Sequence, residues 1–167
     1  MPRFAEVSHQ EWIAAPIDKV RAQFADLNHH IAVNVHPKLR FELLSQGERH
    51  ACFVQEVRLL GIKQRDVFER EIAPDGLSMV DTSVEGFNKG GSLRFRFAPE
   101  DVEGRAGTKV GVTIRLPLPA LMGWLRPLLE IQVRRELRAA VQEDKHDLEV
   151  RGYPAPVQRE LTHGLVA

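Results

Sequence analysis

The sequence has 167 residues, enough for one domain with a sizeable apolar core, and its 23 Lys and Arg residues balance 23 Asp and Glu residues. The formal net charge is therefore zero, and no excess of positive charge is present to attract polyanions. The composition thus argues against a nucleic-acid partner. A single cysteine, Cys52, excludes an internal disulfide, and charges interrupt residues 1–25, so the sequence predicts a cytoplasmic protein without a signal peptide or membrane span.

The N-terminal part of the chain predicts one strand followed by two short helices. Residues 4–13 are typical of a strand, and Pro16 ends it because proline lacks a backbone donor. Apolar residues then recur at helical spacing: Ile17, Val20, Phe24 and Leu27. Asn28 has a side chain suited to cap a second helix, which we expect to reach Val35 before a proline ends it.

Between residues 39 and 116 the pattern changes to a period of two, which predicts strands. The clearest segment alternates apolar side chains with arginines: Leu93, Arg94, Phe95, Arg96 and Phe97. Turn signals such as Pro74-Asp75-Gly76 separate the segments, because proline fixes one backbone angle and glycine tolerates positive φ. Short turns between successive strands favour an antiparallel meander.

A long amphipathic helix is predicted over residues 118–150. Its apolar side chains recur at helical spacing: Leu125, Leu129, Val133, Leu137, Ala140 and Val141. Pro127 removes a backbone donor, so we expect a break between residues 121–126 and the main helix. Gly152 stands where a helix stop is expected, and residues 153–167 are predicted to form a loosely ordered tail.

This order of elements and several short motifs resemble the START-like (SRPBCC) superfamily, which has the helix-grip fold. The motifs are the segment Ile13-Ala14-Ala15-Pro16-Ile17-Asp18-Lys19-Val20, the glycines of Glu85-Gly86 and Gly90-Gly91, the strand entry Gly107-Thr108-Lys109-Val110, and Leu116-Pro117-Leu118-Pro119. Within the superfamily, the chain is most similar to bacterial proteins of the polyketide cyclase/dehydrase and lipid-transport type.

The resemblance implies an α+β fold in which a seven-stranded antiparallel sheet curves around the long C-terminal helix. Two short helices would lie between strands 1 and 2, and residues 1–152 would form a single ligand-binding domain. An apolar pocket is expected between the sheet and the long helix. Members of the superfamily bind lipids, quinones, hormones or polyketides, so the fold by itself does not select a ligand.

Candidate ligand contacts come from two predicted strands and from the expected cavity entrance. Gln55 is a polar exception on an apolar strand face, so it needs a hydrogen bond from a neighbouring strand, a water or a ligand, or it loses about 1–3 kcal/mol. The full set of candidates is Phe53, Gln55, Val57, Phe87, Phe95, Leu121, Trp124, Leu125 and Leu128. We expect Arg65, Glu69 and Arg70 to form a charge ladder on the outer face rather than to contact ligand.

Three of the seven histidines lie close together, at His29, His30 and His36. With Asp26 they offer ligand types that bind zinc and non-haem iron. On one helix, however, His29 and His36 would be about 10.5 Å apart at about 1.5 Å per residue, too far for one ion. Asp26 would approach His30 only in a helix continuous through Asn28, the residue predicted to cap it.

The ring-hydroxylating oxygenases, distant members of the superfamily, bind iron through two histidines and an aspartate. The spacing here departs from their pattern and the Rieske ligands are missing from the sequence, so we expect no metal and no cofactor. We expect the three histidines to lie at the cavity mouth, either solvated or bonded to the backbone. The alternative is that one of them contacts the ligand or transfers a proton.

The leading hypothesis is a carrier or sensor that holds a hydrophobic small molecule: a lipid, an isoprenoid or quinone, or an aromatic polyketide. Transient membrane contact is compatible with it. One alternative is a cyclase/dehydratase enzyme that uses the same cavity and a histidine or carboxylate. No dominant acid, base or nucleophile stands out, which favours the non-enzymatic hypothesis. Another alternative is a regulatory or assembly module that binds a protein partner through an edge strand or the terminal helix.

Overall fold

The computed structural model describes residues 3–154 and contains seven strands and three α-helices. The strands are β1 Arg3–Ile13, β2 Arg40–Gln46, β3 His50–Leu59, β4 Ile62–Ile72, β5 Ser78–Gly86, β6 Ser92–Pro99 and β7 Thr108–Leu118. The helices are α1 Ile17–Ala25, α2 Leu27–Ala32 and α3 Arg126–His146. The predicted α+β architecture is confirmed, including the two short helices between the first two strands.

All seven strands form one antiparallel sheet in the order β1-β7-β6-β5-β4-β3-β2. Strands β2 to β7 are neighbours in chain order, because short turns are sufficient to connect antiparallel strands. The predicted alternation in β6 is confirmed, since Phe97 is buried while Arg94 and Arg96 are exposed. On the inner face, Phe95 of β6 is opposite Val112 of β7.

Helix α3 packs its apolar stripe against the inner face of the sheet. Val133, Leu137 and Val141 are buried in the main core, which they share with residues of β1 and β7. Burying a side chain of this kind stabilises the fold by about 1.5–3 kcal/mol. The stripe therefore fixes the helix against the sheet and leaves most of its charged residues outside, with Asp144 as a buried exception.

The long helix begins where its proline predicts. Residues 120–125 form a separate 3₁₀ helix, and α3 starts at Arg126 with Pro127 in its first turn. Proline suits this position because the first backbone N–H groups of a helix have no intrahelical partner. At the other end a π-helical turn, Asp147–Arg151, precedes Gly152, which has a left-handed φ of 78° and ends the helix as predicted.

Asp26, and not Asn28, caps helix α2. The carboxylate Oδ1 of Asp26 accepts a hydrogen bond from the backbone N–H of His29 at 2.9 Å. Asp and Asn are about equally good caps, so residue type does not decide between them. The position is decided by α1, which ends at Ala25 and leaves Asp26 as the single residue between the two helices. Helix α2 also ends at Ala32, before the predicted Val35.

Replacing Asp26 with Ala is expected to lower the free energy of unfolding by about 0.5–2 kcal/mol through loss of the cap. The same carboxylate also accepts a hydrogen bond from Tyr153 Oη at 2.9 Å, which the substitution removes as well. Asp26→Asn is the matched control, because the amide oxygen can still accept the cap bond. Urea denaturation measures both; an Ala variant as stable as the wild type would contradict this assignment.

Gly86 ends β5 in a conformation that other residues adopt only under strain. Its φ is 117°, and a Cβ there would clash with the backbone carbonyl oxygen of Arg65. We therefore expect Gly86→Ala to lower the free energy of unfolding by at least about 1–3 kcal/mol. Gly111→Ala on β7 is the control, because its Cβ would meet open space and its φ is not positive. Thermal melting compares the two, and equal stability would refute the clash.

Within residues 3–154, no helix combines the length and the apolar character that crossing a bilayer requires.

Tyr153, at the start of the predicted tail, hydrogen-bonds to Asp26 and packs against the ring of His29 at a centroid distance of 4.7 Å. The rest of the predicted tail, residues 155–167, lies outside the described residues.

Candidate functional site

A cavity of about 150 Å³ lies between the sheet and α3. Aliphatic residues of α3 and β7 form one side of it, among them Val133, Leu137, Val112 and Ile114. Aromatic rings from helices and strands form much of the remainder: Phe24, Phe41, Phe53, Phe68 and Phe95. An apolar cavity of this volume admits a molecule of about the size of benzene without rearrangement.

The cavity includes only some of the predicted ligand contacts. Those that line it are Phe53, Gln55, Val57 and Phe95. The others lie away from it: Phe87, Leu121, Trp124, Leu125 and Leu128. Leu121 is 91% exposed and Trp124 is 77% exposed, because the 3₁₀ helix before Pro127 does not continue the inward stripe of α3. Phe87 and Leu128 are exposed as well, whereas Leu125 is half-buried.

Arg70 faces the cavity, which corrects its predicted position in an outer charge ladder. It is 6% exposed, whereas Arg65 and Glu69 are exposed as expected. Its Nε and Nη2 donate to the two carboxylate oxygens of Asp81 at 2.7 Å each, and its Nη1 donates to the carbonyl oxygen of Phe24 at 3.2 Å. The pair is thus a bidentate, buried ion pair in the cavity wall.

A second buried network closes the turn between β5 and β6. Oδ1 of Asp66 accepts hydrogen bonds from the backbone N–H of Asn88 at 2.6 Å and from the hydroxyl of Ser83 at 3.1 Å. The side-chain amide of Asn88 donates to Oδ2 of Asp66 at 2.8 Å and to Oε1 of Gln64 at 2.9 Å. These groups satisfy one another, which accounts for their burial without a ligand.

Two histidines converge on one carboxylate oxygen. Nε2 of His30 lies 3.0 Å from Oδ1 of Asp144, and Nε2 of His36 lies 3.4 Å from the same atom. The opposite ring nitrogens face other oxygens: Nδ1 of His30 is 2.7 Å from the carbonyl oxygen of Asp26, and Nδ1 of His36 is 2.8 Å from Oε2 of Glu143. We call His30, His36 and Asp144 the histidine–aspartate cluster. All three line the cavity.

His29 belongs to a neighbouring contact and not to this cluster. Its Nε2 is 2.7 Å from Oδ2 of Asp147. Gln23, which is fully buried, bridges the two aspartates by donating from Nε2 to Oδ1 of Asp144 and Oδ2 of Asp147, both at 3.0 Å. The carboxylate of Asp26 caps α2, so of the four sequence-based metal candidates only His30 and His36 come together at the cavity.

His30 and His36 are not solvated, because they are 7% and 8% exposed. His30 bonds to the backbone carbonyl of Asp26, as one form of the expectation had it, whereas His36 bonds to the side chain of Glu143. Burial, the largest single influence, lowers the pKa of His36, but attraction to Asp144 and hydrogen bonds with Asp144 and Glu143 raise it to about 9. Burial also raises the pKa of Asp144, yet His36 and His30 outweigh that effect and hold it well below its usual range. At neutral pH, His36 and Asp144 therefore form a buried ion pair.

Tyr153 stays a hydrogen-bond donor beside this region. Burial, followed by the hydrogen bond to Asp26 and the negative charges of Asp26 and Asp147, raises the pKa of Tyr153 to about 12. The phenol is consequently protonated at neutral pH and keeps donating to Asp26. This contact fixes the end of the described chain against α2.

Two aspartates at this site were not predicted from the sequence, although a signal was present. Asp144 and Asp147 follow Leu137 and Ala140 at a spacing of seven, so they continue the inward stripe of α3. A carboxylate on an apolar stripe must be paired if it is buried. Arg70 gave an equivalent signal. It lies two residues after Phe68, so the strand pattern places both side chains on the inward face of β4.

The polar groups of the cavity have distinct chemical capacities. The Arg70–Asp81 pair and the Asp66 network are internally satisfied, so they present fixed dipoles rather than free donors. Gln55 reaches the cavity from an otherwise apolar strand face. The histidine–aspartate cluster combines a proton donor, a carboxylate and imidazole nitrogens, which are groups used in proton transfer and in metal coordination.

No family model matches the sequence, and no curated protein matches it significantly. Solved structures do resemble it. The Zhui aromatase/cyclase from Streptomyces sp. R1128 has a TM-score of 0.71 at 20% identity and covers 90% of this chain and 99% of its own. A START superfamily protein from Mycobacterium smegmatis has a TM-score of 0.68 at 13% identity, covering 86% of this chain and 98% of its own.

A major latex-like protein from Panax ginseng has a TM-score of 0.61 at 16% identity, covering 90% of this chain and 99% of its own. Identities as low as those of these three proteins bear on the fold alone. Together with the seven-stranded sheet gripping α3, they establish that the chain has the START-like (SRPBCC) helix-grip fold.

Proposed function

We propose that the protein binds a small, largely apolar molecule with one polar group in the cavity between the sheet and α3. The supporting observation is the lining itself, in which aromatic and aliphatic side chains surround a few fixed polar groups. Ligand sites are typically concave and apolar, with a small number of placed polar groups that orient the ligand. The polar candidates here are Gln55 and the histidine–aspartate cluster.

The aromatic lining favours a ring system over a flexible acyl chain. Phe53 and Phe68 are stacked with centroids 5.6 Å apart, and Phe24 contacts Phe95 edge-on at 6.1 Å. Aromatic pairs prefer offset-stacked or edge-to-face arrangements, which a ligand ring can extend. Among the ligand classes considered, a quinone or an aromatic polyketide matches these aromatic walls better than a lipid chain. A ligand of several rings would require the cavity of about 150 Å³ to widen.

Native mass spectrometry and thermal melting of the full chain test this proposal. The probes are 1,4-naphthoquinone, the anthraquinone emodin and palmitic acid. We expect a one-to-one complex and a raised Tm with at least one aromatic probe, because binding only the native state stabilises it. If palmitic acid were the only probe to form a complex, the proposed ligand class would be lipids and not aromatic molecules. No complex and no shift with any probe would contradict ligand binding and favour the partner-binding alternative.

A second candidate function is cyclisation or dehydration of a reactive chain. It is favoured by the histidine–aspartate cluster in the cavity wall, since histidine is the commonest general acid or base in enzymes. One structure of similar fold is an aromatase/cyclase. Such an enzyme would hold the chain in a reactive conformation, while His36 moves a proton and Asp144 stabilises its charged ring.

For this second candidate, we expect His36→Ala to lower the turnover of a linear poly-β-ketone by about 10²–10⁴-fold, the contribution usual for general acid–base catalysis. Binding of the substrate would persist, because the apolar walls are unchanged. The turnover rate is measured by monitoring product formation with chromatography. Equal rates with and without the protein would rule out this activity.

A further inference from the structure

We propose that His30, His36 and Asp144 bind one divalent transition-metal ion in the wall of the cavity. Each residue offers one ligand atom, and these atoms all lie within 4.8 Å of one another. The three side chains come from α2, from the segment between α2 and β2, and from α3, so the fold assembles the set from distant parts of the chain. Their identity, two imidazoles and one carboxylate, is a donor set used for zinc and ferrous iron.

Two of the three separations between the proposed ligand atoms fit a shared ion, and the third is at most 4.8 Å. With metal–ligand bonds of about 2.0–2.2 Å, neighbouring ligand atoms of a tetrahedral or octahedral ion lie about 3.0–3.5 Å apart. The Nε2 atoms of His30 and His36 are 3.0 and 3.4 Å from Oδ1 of Asp144. Small side-chain adjustments would therefore be enough to bring all three ligand atoms onto one ion.

The far side of each imidazole is arranged as in a metal site. A ligating histidine usually donates its other N–H to a carboxylate or a backbone carbonyl, which fixes the ring orientation and its tautomer. Nδ1 of His30 faces the carbonyl oxygen of Asp26, and Nδ1 of His36 faces the carboxylate of Glu143. Gln23 donates its side-chain amide to Oδ1 of Asp144, the same oxygen that the two imidazoles face, and so orients this carboxylate. Both proposed imidazole ligands thus have an outer partner.

The position of the set suits an ion that keeps a free coordination position. All three residues line the cavity, and each is less than a tenth exposed. Three protein ligands leave at least one position for water or for an oxygen of a ligand. On binding, the ion would replace the proton on Nε2 of His36, which passes to solvent, because a ligating imidazole is neutral. The inference does not depend on which molecule occupies the cavity.

Metal titration of the full-length, EDTA-treated protein tests the inference, with Zn²⁺ followed by calorimetry and Co²⁺ by visible absorption. We expect one ion per chain. His36→Ala and Asp144→Ala should weaken binding by more than about 100-fold, and Glu143→Gln by about 10–100-fold, the range seen when an outer partner is lost. His29→Ala and the exposed control His50→Ala should bind as the wild type does.

Circular dichroism and melting in EDTA establish that each variant is folded before titration. If His36→Ala or Asp144→Ala fails to fold, the metal affinity of Glu143→Gln decides the test. The side chain of Glu143 is only partly buried and is not a metal ligand in the proposal. Failure of the wild type to bind one ion would overturn the inference and leave the cluster as an ion-pair network. Undiminished binding by His36→Ala, or equal weakening by His50→Ala, would also overturn it.

Discussion

Replacing Arg70 with Met is expected to lower the free energy of unfolding by about 3–5 kcal/mol, the usual cost of leaving one partner of a buried ion pair alone. Asp81 is 3% exposed and receives two hydrogen bonds from the guanidinium. Without Arg70 its charge would remain in the cavity wall with neither water nor a counter-ion. Urea denaturation followed by circular dichroism measures the loss.

Two further variants separate this explanation from a simple loss of packing. Asp81→Leu should cost a similar amount, while the double variant Arg70→Met/Asp81→Leu should recover much of the stability, because apolar side chains can replace a buried pair at little cost. The surface pair of exposed Lys63 and half-buried Glu56 is the control, and Lys63→Met should change stability by less than about 1 kcal/mol. A double variant as unstable as the sum of the singles would contradict the unpaired-charge explanation.

Filling the cavity from α3 is expected to abolish ligand binding. Ala140 lines the cavity, so the larger side chain of Ala140→Leu would occupy space that the ligand needs. We expect the affinity for the aromatic probe 2-naphthol to fall by about 100-fold or more, equivalent to about 2.8 kcal/mol. The fold should persist, because filling a cavity with an apolar side chain commonly stabilises a protein.

The matched control is Ala139→Leu, one position along the same helix and outside the cavity lining. Fluorescence titration with 2-naphthol should give a wild-type affinity for this variant. Equal affinities of the wild type and Ala140→Leu would show that the probe binds elsewhere. Equal weakening by both substitutions would point to a general effect on α3.

The elements were predictable from the sequence where local patterns determine them. Alternation around Phe95 identifies β6 because only one face of that strand is buried. Pro127 marks the start of α3 because it lacks a backbone donor. The cap of α2 was not predictable in this way, since Asp26 and Asn28 have similar capping strength and the choice depends on where α1 ends.

The site was less predictable because its contacts join residues far apart in the chain. His30 and His36 were identified as candidates, but their partner Asp144 lies more than a hundred residues away, on the C-terminal helix. The charge of Arg70 suggested an outer face, whereas the alternation of β4 turns it inward to Asp81. Trp124 was expected at the cavity because the start of the terminal helix was taken to form its entrance, but the 3₁₀ helix leaves this side chain exposed.

Methyl NMR of the full chain titrated with 2-naphthol tests the central claim most directly, because it reports where an aromatic ligand binds. The cavity-lining methyl groups of Val112, Ile114, Val133 and Leu137 are predicted to shift together and to saturate at one probe per chain. The exposed methyl groups of Leu121 and Leu128 should stay unchanged. Shifts confined to those exposed groups, or no saturable shift in the cavity, would contradict ligand binding between the sheet and α3.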